Sequence, residues 1–249
     1  MKTIVTIGGG DMRKGTLLAI DQEIVRLSRK TNPKFLFIPT ASSDDQRYCE
    51  IITKYYQELN CQTEVLKLVT EKPSTAEIAQ KIQSADIIYV GGGNTLKMMR
   101  LWRKLGVDLL LKAAWKSGTV MCGVSAGSIC WFESGHSDSM SYYNPDKWQY
   151  IQVTGLGFLQ GVHCPHFDSE TLGVARKDNF AKMIGKLSPQ KTGIAIDDHC
   201  AMVWQDDQYR VITTTTAANA YRVYRQNGQV ICEALPKNGP LLPVKELYK

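Results

Sequence analysis

Thr119-Val120-Met121-Cys122-Gly123-Val124-Ser125-Ala126-Gly127 is the stretch whose reading decides the fold of this chain. Thr119–Cys122 reads as a buried β-strand, and Ala126–Phe132 after it reads as a helix. Between them lies G-x-S-x-G, the nucleophile elbow, in the strand–turn–helix context it requires. The turn is tight enough that side chains beside the serine would strike neighbouring backbone, which explains the glycines. The serine is expected at the carboxyl edge of the sheet, with the Ala126 N–H free at a helix start to face an oxyanion. The competing reading is a plain βα turn of small residues.

Upstream, β-branched runs alternate with helical patterns. Strands are expected over Thr3–Ile7, Phe35–Ile38, Glu64–Leu68 and Asp86–Val90. Helices are expected over Thr16–Lys30 and Asp45–Leu59, and near Thr95–Lys104 and Asp108–Lys116. Ser74 and Glu77 form a capping box that opens a further helix through Ile82. Such alternation implies βαβ units and a parallel sheet. Runs such as FLFI and IIYV fit strands buried on both faces. Downstream, Ile194–Ile196, Cys200–Trp204, Arg210–Thr214, Tyr221–Tyr224 and Gln229–Glu233 read as antiparallel strands extending the same sheet, with a hairpin turn at Asn227-Gly228. No linker-like segment interrupts 1–249, so a single α/β domain is expected.

The chain has 249 residues, 43% of them hydrophobic and 22% charged, enough for a large core throughout. Net charge is +6, but the basic residues are scattered. The densest stretch, Lys97 to Lys116, reads as the solvated side of amphipathic helices rather than a nucleic-acid surface. Seven cysteines, odd in number and without a CxxC, argue for a reducing, cytoplasmic compartment. The opening MKTIVTIGGGD looks like a strand and not a leader. No run of about 18 apolar residues suggests a membrane span.

A second glycine turn, Gly91-Gly92-Gly93-Asn94-Thr95, also lies between a strand and a helix. It offers backbone donors near Gly92 and Gly93, with Asn94 as a candidate substrate contact. No Walker or GxGxxG pattern accompanies it. A serine needs a base, and the chain has four histidines. His166, in Cys164-Pro165-His166-Phe167 after the strand Gly161–His163, is the best placed. His136 reads as solvated in a Gly/Ser-rich loop, His163 as packed within the strand, and His199 as lying at a bend. The clustered His163, Cys164 and His166 do not make a convincing zinc set. The acid that orients the base is open among Asp138, Asp168, Asp197 and Asp198; Asp168, two residues from His166, is expected to point elsewhere.

Taken in order, GGGNT, GVSAGS, PHF and GIAIDDHCA resemble the peptidase E and cyanophycinase family of serine peptidases, whose fold is similar to class I glutamine amidotransferases. The likeness runs from the first strand to GIAIDD. It implies a three-layer α/β/α sandwich with a mainly parallel central sheet and antiparallel C-terminal strands. It puts the nucleophile on Ser125, the base on His166 and the oxyanion donors on Gly92, Gly93 and Ala126. The third member falls on Asp198 or Asp138, with Asp198 favoured although some members carry glutamate there. It implies that Arg176 pairs with an acidic substrate side chain, as in aminopeptidases for peptides beginning with aspartate. The expected enzyme is a serine hydrolase of small peptides that needs no metal or organic cofactor, and a homodimer is entertained as its assembly. Cyanophycinase-like or esterase activity, a non-catalytic anion-binding protein and an amidotransferase-like partner are the alternatives.

Overall fold

The structure, a computed structural model, describes residues 1–248. Its strands are β1 (Thr3–Ile7), β2 (Lys34–Ile38), β3 (Gln62–Val65), β4 (Ile87–Val90), β5 (Val120–Val124), β6 (Phe132–Ser137), β7 (Ile151–Thr154), β8 (Leu159–Cys164), β9 (Glu170–Thr171), β10 (Val174–Ala175), β11 (Gly193–Ile196), β12 (Cys200–Gln205), β13 (Gln208–Thr213), β14 (Ala220–Gln226), β15 (Gln229–Ala234) and β16 (Leu242–Pro243). Its helices are α1 (Leu18–Leu27), α2 (Gln46–Glu58), α3 (Thr75–Ser84), α4 (Thr95–Leu105), α5 (Val107–Lys116), α6 (Ala126–Ile129) and α7 (Arg176–Lys186).

An eight-stranded sheet in the order β16-β13-β12-β1-β5-β4-β2-β3 forms the centre. From β1 to β3 every pairing is parallel, while β12, β13 and β16 run antiparallel on the other side. Side chains alternate faces along a strand. Here both faces are apolar. Phe35, Phe37, Tyr89 and Cys122 join one core with residues of α1 and α2. Leu36, Ile38, Ile88 and Met121 join another with residues of α3, α4 and α5. That is why these strands are apolar throughout, and it yields helix–sheet–helix layering. The Ser74–Glu77 capping box opens α3 as expected.

The later strands correct one expectation. They do not all extend a single sheet. A second, six-stranded sheet runs β15-β14-β11-β8-β6-β7. Its centre, β6-β8-β11, is parallel, and β7, β14 and β15 flank it antiparallel. Helix α7 covers it through Phe180 and Ile184. Asn227 and Gly228 both take positive φ in the tight turn between β14 and β15. The expected strand Glu64–Leu68 lies earlier, at Gln62–Val65, and Leu66 and Leu68 pack into the core as the chain leaves it.

The helix expected over Ala126–Phe132 is also shorter, ending at Ile129, and Phe132 opens β6. Trp131 and Phe132 are fully buried where the chain turns from one sheet to the other. No helix among the described residues is long and apolar enough to cross a membrane. All seven cysteines are free thiols, and only Cys232 is exposed.

Candidate active site

Ser125 follows β5 directly and takes φ 57° and ψ −116°. A non-glycine residue at positive φ is uncommon and strained, and such strain concentrates at functional sites. The flanking glycines make the turn possible. A Cβ on Gly123 would overlap the Gly127 carbonyl, and one on Gly127 would overlap the Val90 carbonyl. The Ser125 N–H donates to Ile7 O at 3.2 Å, tying the elbow to β1.

The Gly91–Asn94 turn faces the elbow. A Cβ at Gly92 would lie 3.3 Å from Ser125 Cβ and 3.7 Å from its Oγ, so a side chain there would crowd the nucleophile. Gly93 has φ 134° and presses against the Ala41 carbonyl. Asn94 caps α4: its Oδ1 accepts from the Lys97 N–H at 3.0 Å and its Nδ2 donates to Ser139 O at 3.3 Å. Both ends of its amide are thus committed to the protein. The N–H groups of Gly93 and Ala126 have no acceptor among the described residues. The Gly92 N–H makes a long bond, 3.5 Å, to the Tyr48 hydroxyl. With only one turn in α6, free N–H groups rather than a macrodipole are what it offers an oxyanion.

His166 stands beyond β8 at φ 51°. Its Nδ1 lies 2.5 Å from Asp198 Oδ1. An ionised carboxylate only accepts, so Nδ1 carries the proton and Nε2 is left with the lone pair. Asp198 is held further by the Ser169 hydroxyl, which donates to Oδ2 at 3.0 Å. Asp168 makes no hydrogen bond to the His166 ring; its Oδ1 accepts the Asp198 N–H at 2.8 Å. Burial alone would raise the Asp198 carboxyl, but hydrogen bonding and charge from His166, with the Ser169 hydroxyl, hold it below the usual carboxylate range.

Ser125, His166, Gly92, Gly93, Tyr48 and Tyr142 line one open crevice of about 540 Å³. No direct hydrogen bond joins Ser125 Oγ to His166, a looseness common in enzymes without substrate.

The other candidates lie elsewhere. Asp138 accepts from Arg176 Nη2 at 2.5 Å and from the Thr171 hydroxyl at 3.1 Å, and makes no hydrogen bond to His166. Arg176 is 4% exposed, so its guanidinium already holds a carboxylate. Tyr142, on the crevice wall, lies within electrostatic range of that pair. Asp197 is buried and accepts from the Asn219 N–H and the Tyr221 hydroxyl. His199 lies at a bend with φ 64°.

His136 is not solvated. It lies on β6, fully buried, stacked on Tyr150 with ring centroids 4.1 Å apart. The sequence around it looks like a loop, but Gly135 packs closely on Ile129 and lets the strand sit inside the fold. Burial pushes the imidazole down to about 4. His163 has both ring nitrogens engaged, by Ser128 Oγ and Ile194 O, and burial drives it to about 3. Neither is placed to serve a crevice base.

Sequence reasoning gave no part to Gly8 and Gly9. Their carbonyls accept the His166 N–H at 3.2 Å and the His199 N–H at 2.9 Å. A Cβ on Gly9 would overlap both Asp198 Oδ1 and His166 Nδ1. The available signal was a strand running straight into three glycines, the pattern also seen at Gly91–Gly93.

Comparison with known proteins places the chain in a family. The sequence model of peptidase family S51 matches residues 4–212. The uncharacterized peptidase YgaJ of Bacillus subtilis is 36% identical over 238 residues, covering 95% of this chain and 98% of that protein. Peptidase E of a Nostoc species is 26% identical over 204 residues, covering 78% of each. Among solved structures, a peptidase from an acI-B1 actinobacterium superposes with a TM-score of 0.70 at 19% identity, covering 98% of this chain and 97% of that one. A Listeria monocytogenes protein described as a putative peptidase E superposes at 0.63 with 20% identity, covering 85% and 98%. At those identities the structures speak for the fold alone. The chain belongs to peptidase family S51, and it is a peptidase, a hydrolase of the peptidase E kind.

Proposed function

We propose that the protein is an aminopeptidase or dipeptidase for small peptides, acting through a Ser125–His166–Asp198 triad and an acyl-enzyme. The observation that carries this is the His166–Asp198 bond at 2.5 Å in the same crevice as a strained Ser125. Asp198 fixes the tautomer that leaves Nε2 as the base. Nε2 takes the Ser125 proton as Oγ attacks the scissile carbonyl carbon. The oxyanion is received by the N–H of Ala126 and those of the Gly92–Gly93 turn, with Asn94 fixing the turn. Collapse breaks the C–N bond as Nε2–H protonates the departing amine. Water, deprotonated by the same nitrogen, then frees the acid.

The family likeness gives Arg176 to a substrate's leading acidic side chain, but Arg176 is buried, paired with Asp138 and outside the crevice lining. A guanidinium already paired attracts a second carboxylate less strongly, so preference for an N-terminal aspartate is modest in the native protein. Free thiols throughout fit a reducing cytoplasm.

Ser125→Ala should lower kcat/KM by about 10⁴-fold or more on a panel of dipeptides with acidic and neutral first residues. Hydrolysis that survives this change would remove the proposal.

A further inference from the structure

The basic stretch that begins at Lys97 is partly gathered in the fold. Lys97, Arg100 and Lys104 lie at i, i+3 and i+7, one face of α4. With Lys72 they border a groove of about 700 Å³ floored by Leu68 and Leu101. None of the four cations forms an ion pair with a carboxylate among the described residues. Arg103, by contrast, turns away and donates to the carbonyls of Thr154 and Gly155.

The groove adjoins the crevice across two pairs of neighbouring residues. Tyr142 lines the crevice and Tyr143 the groove. Ser42 lines the crevice, and Ser43 accepts from Lys97 Nζ at 2.7 Å. From Lys97 to Lys104 the helix rises about 10 Å, the span of roughly three extended residues.

Resting on the peptidase reading above, we propose that this groove binds the part of a peptide substrate that lies beyond the scissile bond, and that the preferred sequence there alternates apolar and acidic residues. Apolar side chains meet the leucine floor, and carboxylates meet the unpaired cations at the rim. The protein thereby favours acidic oligopeptides over dipeptides.

The test uses Ser125→Ala protein and two fluorescent hexapeptides, Asp-Ala-Leu-Glu-Leu-Glu and Asp-Ala-Leu-Gln-Leu-Gln, at low salt. The acidic peptide should bind about fivefold more tightly, as expected for a few exposed ion pairs, with the margin shrinking at high salt. Arg100→Glu on the same background should abolish the margin and favour a Lys-bearing peptide. Equal binding of the two peptides, or an unaltered margin in Arg100→Glu, overturns the inference. So does tight binding of a short single-stranded DNA through Arg100 with no Glu-over-Gln preference, which would assign the face to nucleic acid. Because binding is read without turnover, a failed peptidase reading shows separately, as native protein that cleaves no dipeptide.

Discussion

The two halves of the crevice are built by different means. The nucleophile half is backbone. Ser125 is held by its own dihedrals, by glycines that admit close approach, and by the parallel sheet behind it. The base half is side chain. His166 depends on Asp198, Asp198 on Ser169 and Asp168, and the loops carrying them converge from positions far apart in sequence. Gly8 and Gly9, the tail of β1, join the halves: β1 pairs with β5 on one side, and its tail receives the His166 and His199 N–H groups on the other. The nucleophile half should therefore tolerate polar substitution around it but not added volume. The base half should respond to loss of charge.

The largest effect expected from breaking that contrast is Asp198→Asn, which keeps size but favours the wrong imidazole tautomer. It should lower kcat/KM by about 10³- to 10⁴-fold with little change in fold. Asp138→Asn is its counterpart. It should leave kcat/KM for neutral dipeptides within about tenfold and raise the preference for an aspartate first residue, since Arg176 loses its internal carboxylate. A loss equal to that of Asp198→Asn would make Asp138 the orienting acid. Gly9→Ala adds volume where the halves meet. It must push the dyad by a large part of an ångström, and a fall of about 10²-fold in kcat is expected from such misplacement. Retained activity in that variant would show that β1 does not brace the dyad.

The smallest effect on catalysis concerns the layer under the nucleophile half. Asp21 is buried, its carboxylate receives the Tyr56 hydroxyl at 2.7 Å, and burial pushes it up to about 7. Such an acid binds its proton more tightly folded than unfolded. The stability it lends is full below the unfolded value, near 3.8, and fades as pH rises to about 7. Asp21→Asn should flatten that decline in Tm between pH 5 and 7 (about the window those values set) while leaving kcat nearly unchanged. An identical pH slope in both proteins would contradict it.

Much of this architecture is legible before any coordinates. Strands β1, β2, β4 and β5 announce themselves because both faces are buried, so FLFI and IIYV have no polar alternation. The edge strand β3 is polar, and its bounds differ from those expected. Ser74, Glu77 and the glycines after β4 and β5 mark the ends of elements through local chemistry. The second sheet is harder to read. β6 contains Ser134, Gly135, His136 and Ser137, residues that resemble a loop until β7 and β8 pair with it. Its burial comes from partners distant in sequence, which no local pattern reports. The site divides in the same way. Ser125 and the Gly91–Gly93 turn carry a local steric signature. The choice between Asp198 and Asp138 does not, because both are acids following buried strands, and only the fold reveals that one meets an imidazole and the other a guanidinium. Gly9 is silent for the same reason, since its neighbours are His166 and Asp198.

The most direct measurement is covalent labelling of the native protein with a fluorophosphonate, followed by peptide mapping. The account predicts one modified residue, Ser125, with labelling abolished in His166→Ala and retained in Asp138→Asn. Folded protein that leaves Ser125 unmodified, or labels it equally well without His166, would contradict the pairing of serine and histidine in a single crevice.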